Sequence, residues 1–150
     1  MPVYLVRHAT ALPAEKDPQR GLSEEGRKEA EKVAAFLKGK ITLEAIYHSP
    51  KKRAKETALV FAESLRPSSV EEAEGLLPND EPELWLTHLT EEHRSVMLVG
   101  HLPHMEVLAQ RLLSVRKDGG RIKFSPASVM CLEKLEGVFA LKWFVEPDIL

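Results

Sequence analysis

The sequence has a single cysteine, Cys131, so the chain cannot form a disulfide bond within itself. This cysteine lies in the apolar run of residues 128–132, where a small buried hydrophobic side chain is expected rather than a reactive thiol. The sequence also lacks any apolar stretch approaching the roughly 18 residues that a membrane-spanning helix needs. No secretion signal is recognisable near residue 1, and we therefore expect a cytoplasmic protein without a membrane partner.

An excess of positive charge is missing as well. There are 21 lysines and arginines against 23 aspartates and glutamates, which gives a net charge of -2 at pH 7. A chain with this balance has no overall basic field, so a nucleic-acid partner is not expected. A chain of 150 residues can bury a core without disulfides or metal, and we predict one domain over residues 1–150.

Segments with strand and helix patterns alternate along the chain. Apolar runs bounded by turn signals predict strands over residues 2–7, 43–47, 70–74, 95–100, 127–132 and 139–145. Apolar positions at helical spacing predict helices over residues 24–38, 54–65, 83–89 and 103–112. Ser23 is the predicted N-cap of the first helix, and Gly39 is its stop signal. We therefore predict a three-layer α/β/α fold with a mostly parallel, mixed central sheet, to which the last two strands add an antiparallel hairpin.

Basic residues follow three of the predicted strands. Arg7 and His8 end the first strand, and His101 follows the strand near residue 99. The segment from Ser49 to Arg53 follows a third strand and leads into a helix. Ligands of open parallel sheets bind beyond the carboxyl ends of the strands, so these residues can share one site. The helix would add free N–H groups that suit an anion.

A pocket made of two arginines and two histidines suits a dianionic phosphate. Arginine offers paired donors and keeps its charge, and phosphoryl transfer depends mainly on positioning and on stabilising negative charge. No cluster of acidic residues indicates a magnesium site, so we predict neither a metal nor another cofactor. One imidazole would then be the nucleophile if its second nitrogen donates to a carbonyl group. Neighbouring cations would lower the pKa of that ring and keep it neutral.

Arg7-His8-Ala9 resembles the Arg-His-Gly signature of the histidine phosphatase superfamily, the phosphoglycerate mutase-like phosphatases. Residues 21–26, residues 49–54 together with Thr57, and Gly100-His101 resemble further stretches of that family and occur in the family's order. The short chain and residues 100–103 resemble most the SixA group of protein phosphohistidine phosphatases. The resemblance implies a phosphoglycerate mutase-like fold, here without a lid subdomain.

The resemblance also implies a role for each matching residue. His8 would be the nucleophile that becomes phosphohistidine. Arg7 and Arg53 would bind the phosphoryl oxygens, and His101 would be the second histidine that donates to the same oxygens. Arg53 is indicated more by this resemblance than by its position in a Lys-Lys-Arg run, which is usually a surface feature.

Two features depart from the family pattern. Ala9 stands where the signature has glycine, so the backbone there must suit an L-residue. The acid that protonates the leaving group in larger relatives has no unambiguous match, although Asp80 and Glu81 are candidates and Glu74 is another. An alkoxide leaving group needs such a donor, whereas phosphohistidine needs it less. The absence of a lid insertion would also admit a side chain of another protein.

Several polar residues allow two interpretations. Thr10 and Ser49 could donate to phosphate or only cap turns. Arg20 could line the entrance of the site or be solvated. His104 forms a His-x-x-His pair with His101, but a metal site needs a third ligand and none is evident. A structural or surface role is therefore predicted for His104.

These patterns predict a metal-independent phosphatase that forms a covalent phosphohistidine and releases inorganic phosphate. The expected substrate is phosphohistidine on a protein. A small phosphate ester is the alternative substrate within the same fold. A non-catalytic phosphate-binding module is the alternative from another functional class.

Overall fold

The computed structural model describes residues 1–150 and places six strands in one sheet. The strands are β1 (Pro2–Arg7), β2 (Ala45–His48), β3 (Ser69–Glu72), β4 (Val96–Gly100), β5 (Val129–Leu135) and β6 (Val138–Val145). Their order across the sheet is β3-β2-β4-β1-β5-β6. The first four in this order are parallel, whereas β5 runs antiparallel to β1 and β6 antiparallel to β5. The predicted mixed sheet with a closing hairpin is therefore confirmed.

Helices cover both faces of the sheet. They are α1 (Glu24–Leu37), α2 (Lys52–Leu65), α3 (Glu83–Glu91) and α4 (His104–Leu112), followed by one 3-10 turn (Pro147–Ile149) near the C-terminus. One buried cluster joins α1 and α2 to the sheet, and a second joins α3 and α4 to its opposite face. The predicted α/β/α layering is confirmed, and the last turn is the only element that the sequence patterns did not predict.

Strand β1 runs through the middle of both cores. Tyr4 and Val6 pack into the cluster on the α1 and α2 side, and Val3 and Leu5 pack into the cluster on the α3 and α4 side. All four side chains are at most 3% exposed. Burial on both faces explains why this strand is a continuous apolar run rather than an alternating one. It also holds the end of β1 rigidly in place.

The predicted signals at the ends of α1 are confirmed. The Ser23 hydroxyl accepts a hydrogen bond from the Gly26 N–H at 2.9 Å, and Glu24 and Glu25 occupy the first turn, where the helix dipole favours acids. Gly39 follows the helix with a φ of 80°, in the left-handed region that glycine adopts without strain.

Gly26 allows α1 to approach the segment that follows β1. A Cβ atom at this position would lie 1.9 Å from the backbone oxygen of Thr10. No side chain fits at that distance, so the helix packs directly against the chain two residues beyond His8. The glycine of the 21–26 stretch therefore has a steric function.

The chain between α2 and β4 contains only β3, a loop and α3, with no inserted lid subdomain, as predicted. None of the helices combines the length and the apolar character needed to cross a membrane.

The substitution Gly26→Ala should lower the free energy of unfolding by about 2–3 kcal/mol, because the new methyl group must displace either α1 or the Thr10 backbone. Urea unfolding followed by circular dichroism measures this change. Gly119→Ala is the control, since Gly119 lies in an exposed loop with ordinary φ and more space for a Cβ atom. Equal stability of the two variants would contradict the steric argument.

Candidate active site

The carboxyl ends of three neighbouring strands bring the predicted site residues together. His8 follows β1, Ser49 follows β2 and His101 follows β4. Backbone hydrogen bonds continue past the strands, since the His8 N–H donates to Gly100 O at 2.9 Å and the Ser49 N–H donates to Val99 O at 3.1 Å. The three residues are thus held by the sheet itself rather than by mobile loops.

The rings of His8 and His101 lie side by side, with centroids 5.0 Å apart and planes tilted by 57°. His8 Nδ1 is 2.7 Å from the carbonyl oxygen of Ala9. A carbonyl oxygen can only accept, so Nδ1 carries the proton and donates it. In the neutral ring Nε2 therefore keeps its lone pair.

Ser49 orients His101. The Ser49 hydroxyl oxygen accepts the Lys51 N–H at 3.2 Å and lies 2.8 Å from His101 Nε2. When the hydroxyl donates its own proton to Nε2, the proton of the neutral His101 ring is on Nδ1. His101 is 1% exposed, and its Nδ1 has no partner within the protein. Ser49 therefore caps the turn into α2, as one of its two interpretations has it, and also contacts His101, which neither interpretation included.

Arg7 and Arg53 are tied to the backbone around His8. Arg7 Nη1 donates to the carbonyl of Phe124 at 2.8 Å. The Thr57 hydroxyl donates to the carbonyl of Arg53 at 2.8 Å and accepts the Ala9 N–H at 3.0 Å. The Nε atoms of both arginines are buried without a partner in the protein. Buried donors are rarely unpaired, so these two nitrogens and His101 Nδ1 indicate a site for an acceptor-rich ligand.

Burial keeps His8 neutral. Desolvation, together with the nearby charges of Arg53, Arg7 and Arg20, lowers the pKa of His8 to about 4. The hydrogen bond to the Ala9 carbonyl acts in the opposite direction but is the smaller effect. The neutral form of the ring, with a free lone pair on Nε2, is therefore the dominant form at neutral pH.

His101 is neutral for the same reason. Burial lowers its pKa to about 3, and the nearby His8, Arg53 and Lys51 contribute in the same direction. A neutral His101 that accepts the Ser49 proton at Nε2 keeps its own proton on Nδ1 and can donate it without adding charge.

Ala9 fits its position without strain. It is completely buried in the core beneath α1 and α2, and its φ is not among the positive values in the chain. The backbone at this point therefore does not require glycine. The departure from the Arg-His-Gly signature has no conformational cost here.

Thr10 and Arg20 differ in their access to the site. The Thr10 N–H and hydroxyl both donate to the carboxylate of Glu29, each at 3.0 Å, so the hydroxyl proton is engaged by a side chain and caps no turn. Arg20 is exposed and its Nε donates to Leu12 O at 3.1 Å, but its charge is close enough to lower the pKa of His8. Arg20 therefore lies at the entrance.

The candidate proton donors do not contact His8. Asp80 Oδ2 accepts the Leu77 N–H at 2.9 Å, and the Asp80 charge raises the pKa of His104 against the larger effect of burial. Glu74 and Glu81 are exposed. None of these three carboxylates forms a hydrogen bond with the two arginines or the two histidines of the site.

His104 is buried at 2% exposure, and neither of its ring nitrogens has a partner in the protein. No group of three histidine, cysteine, aspartate or glutamate side chains is arranged to hold a metal ion. The structure thus makes His104 a buried residue rather than a surface one.

Glu29 is a functional residue that the sequence patterns did not identify. Besides its two hydrogen bonds with Thr10, its charge raises the pKa of Arg7 against the effect of burial. Glu29 lies three residues after Gly26 on α1, and this spacing places both residues on one helix face toward Thr10. This spacing from Gly26 is the sequence signal by which Glu29 could be identified.

Glu106 is a second residue that the sequence patterns did not identify. Its buried carboxylate accepts two hydrogen bonds from Arg121, at 2.8 and 2.9 Å, and one from the Ile122 N–H at 2.9 Å. These bonds hold the loop just before Phe124, whose carbonyl anchors Arg7. Nothing in the local sequence relates residue 106 to residue 7.

Comparison with protein families identifies the origin of this arrangement. Residues 3–77, half of the chain, match the model of the histidine phosphatase superfamily, branch 1. The chain belongs to the histidine phosphatase superfamily. The matched range contains Arg7, His8 and Arg53, whereas His101 lies beyond it.

Solved structures of the superfamily share the whole fold. The protein histidine phosphatase SixA, solved with tungstate, is 29% identical, with a TM-score of 0.85 over 99% of each chain. A SixA protein of Agrobacterium tumefaciens is 28% identical, with a TM-score of 0.75 over 97% of each chain. The phosphoserine phosphatase of Entamoeba histolytica, at 17% identity and a TM-score of 0.75 over 95% of each chain, shares the fold. No curated protein sequence is a significant match.

Superfamily membership makes this chain a phosphatase, a hydrolase of phosphate compounds. The predicted phosphoglycerate mutase-like fold without a lid and the predicted enzyme class are confirmed. The similarity to SixA extends over nearly the full length of both chains, so it includes β4 and the segment that carries His101.

The stability of this histidine phosphatase should fall as the pH is lowered from about 6.5 to about 4. The unfolded chain binds a proton on each histidine near pH 6.5, whereas folded His8 resists protonation until about pH 4. His8→Gln should therefore lose stability less steeply than the wild type over this range.

Urea unfolding at several pH values between 7 and 4 measures the two slopes. His93→Gln, which removes an exposed ring, is the control and should retain the wild-type slope. Identical slopes for His8→Gln and the wild type would show that burial does not hold His8 neutral.

Proposed function

We propose that this phosphatase forms a covalent phosphohistidine at His8 and that its substrate is phosphohistidine on another protein. The observation that carries the first part is the state of the His8 ring, which donates through Nδ1 to Ala9 and keeps a neutral Nε2. Unpaired buried donors of Arg7, Arg53 and His101 accompany this nitrogen.

The first step transfers the phosphoryl group to the enzyme. The Nε2 lone pair of His8 attacks phosphorus, a new N–P bond forms, and the bond from phosphorus to the substrate imidazole breaks. The electrons of that bond remain on the substrate nitrogen, which takes a proton from solvent. The Ala9 carbonyl stabilises the positive charge that develops on the His8 ring.

The second step regenerates the enzyme. Water attacks phosphorus on the side opposite His8, the N–P bond breaks, and its electrons return to Nε2. The water gives up a proton and inorganic phosphate leaves. The same bound geometry serves both steps, because the phosphoryl oxygens keep their partners while the group moves between two nitrogens.

The charge on the phosphoryl oxygens is balanced by the protein. Arg7 and Arg53 supply two positive charges, and His101 supplies a neutral donor through Nδ1. No side chain caps the N-terminus of α2 and no acid occupies its first turn, so its free N–H groups also favour an anion. These donors would stabilise the transition state without a metal ion.

The choice of phosphohistidine rests on the leaving group. None of the candidate carboxylates is hydrogen-bonded to the arginines or histidines of the site, and Asp80 uses Oδ2 to accept the Leu77 N–H of its own turn. The leaving group of a phosphoramidate such as phosphohistidine is an imidazole, which depends little on a positioned acid. An alkoxide leaving group depends on such an acid strongly. The similar SixA proteins are named as phosphatases of protein histidine, which supports the same substrate here.

The nucleophile assignment predicts that His8→Ala loses activity toward an aryl phosphate by roughly 10³-fold or more. Rapid acid-free quenching of the wild type should trap one phosphate on His8, with the acid lability of an N–P bond. His93→Ala, an exposed histidine, should retain activity and the trapped phosphate.

Full activity of His8→Ala would contradict the covalent mechanism. Tight binding of phosphate by the wild type without any turnover would instead establish a phosphate-binding module.

The leaving-group argument predicts that Asp80→Asn and Glu81→Gln change hydrolysis of a phosphohistidine peptide by less than about threefold. A general acid contributes roughly 10²–10⁴-fold, so any loss should be confined to alkyl phosphates. Asn at position 80 keeps an oxygen for the Leu77 N–H. A hundredfold loss on the phosphohistidine peptide would make that carboxylate the donor and favour a small phosphate ester as the substrate.

A further inference from the structure

A basic groove leads away from the His8 pocket along the start of α2. It has a volume of about 630 Å³, and its cationic lining residues are Arg20, Lys51, Lys52, Arg53 and Lys55. No carboxylate lines it. Its volume falls within the range of sites that hold small ligands or short peptide segments.

Most of this positive charge is not neutralised by the protein. Lys52 pairs with Asp17 at 3.1 Å, but the other four cations of the basic groove form no ion pair. Four unpaired cations in one groove contrast with a chain whose net charge is -2. The concentration of charge is therefore local to the mouth of the active site.

The basic groove and the candidate site share Arg53. Arg20 and Arg53 line the groove and also lower the pKa of His8. Lys51 lines it and lowers the pKa of His101. A ligand in the groove would thus lie next to a phosphoryl group bound in the site.

On the other side of Pro50 from the basic groove, the surface is negatively charged. Pro50 is shared between the basic groove and a smaller cavity of about 320 Å³, which is lined by Glu72, Glu74 and Asp80. A long polyanion crossing the whole mouth would meet these carboxylates. A ligand with negative charge on one side only avoids that repulsion.

We propose that the basic groove binds an acidic segment of the phosphorylated protein, next to its phosphohistidine. This proposal rests on the protein substrate proposed above. Arg53 is engaged by the phosphoryl group, which leaves Arg20, Lys51 and Lys55 to attract carboxylates of the segment. These exposed charges accelerate association and select the partner more than they tighten binding.

The test compares two phosphohistidine peptides, one with glutamates and one with alanines flanking the modified residue. The ratio of their kcat/KM values should favour the acidic peptide by about tenfold at low ionic strength and approach one at about 1 M salt. Lys55→Glu should lower this ratio about three- to tenfold. Lys117→Glu reverses an exposed lysine that does not line the groove and should leave the ratio unchanged.

Equal kcat/KM values for the two peptides, or a ratio insensitive to Lys55→Glu, would overturn the proposal. A separate arm measures how a phosphate-free acidic peptide inhibits turnover of an aryl phosphate. If neither phosphohistidine peptide is hydrolysed, the proposed substrate is wrong, and this inhibition still decides the function of the groove. Stronger inhibition by single-stranded RNA, relieved by Lys55→Glu, would make the groove a nucleic-acid surface and contradict the proposal.

Discussion

The hydrogen bond from His8 Nδ1 to the Ala9 carbonyl is the interaction on which the site depends. It determines which ring nitrogen carries the proton, and burial keeps the other nitrogen neutral. Without this bond, the ring could rotate or exchange tautomers, and the two arginines would surround a group with no defined direction of attack. The neighbouring cations lower the pKa of His8, and in the proposed mechanism the same cations also bind the phosphoryl oxygens.

The sheet edge and helix α1 both support this bond. The ends of β1, β2 and β4 are neighbours in the sheet, so His8, Ser49 and His101 are positioned by the same ladder of backbone bonds. On the α1 side, the missing side chain of Gly26 lets the helix press against Thr10. The candidate site is therefore built mainly on the sheet and on α1, and in the proposed function the exposed charges of the basic groove select the partner.

Most of the fold follows from the sequence because its signals are local. The apolar run of β1, the Ser23 cap and the stripe of α2 each report on their own segment, and parallel strands then bring their carboxyl ends to one edge. The roles of Ser49, Glu29 and Glu106 do not follow in this way, because each side chain forms hydrogen bonds with residues that are distant in the sequence. From the sequence alone, Ser49 could cap a turn or bind phosphate. Its 2.8 Å distance to His101 Nε2 is visible only in the structure. Ala9 departs from the Arg-His-Gly signature, and only its backbone geometry shows that glycine is not needed at this position.

The most direct test of the central claim is a crystal structure of this enzyme with bound tungstate, a tetrahedral oxyanion that the similar SixA structure contains. The account predicts one anion in line with His8 Nε2, with its oxygens held by Arg7, Arg53 and His101 Nδ1. An anion bound only by the lysines of the basic groove, or one that leaves His8 Nε2 without contact, would contradict it.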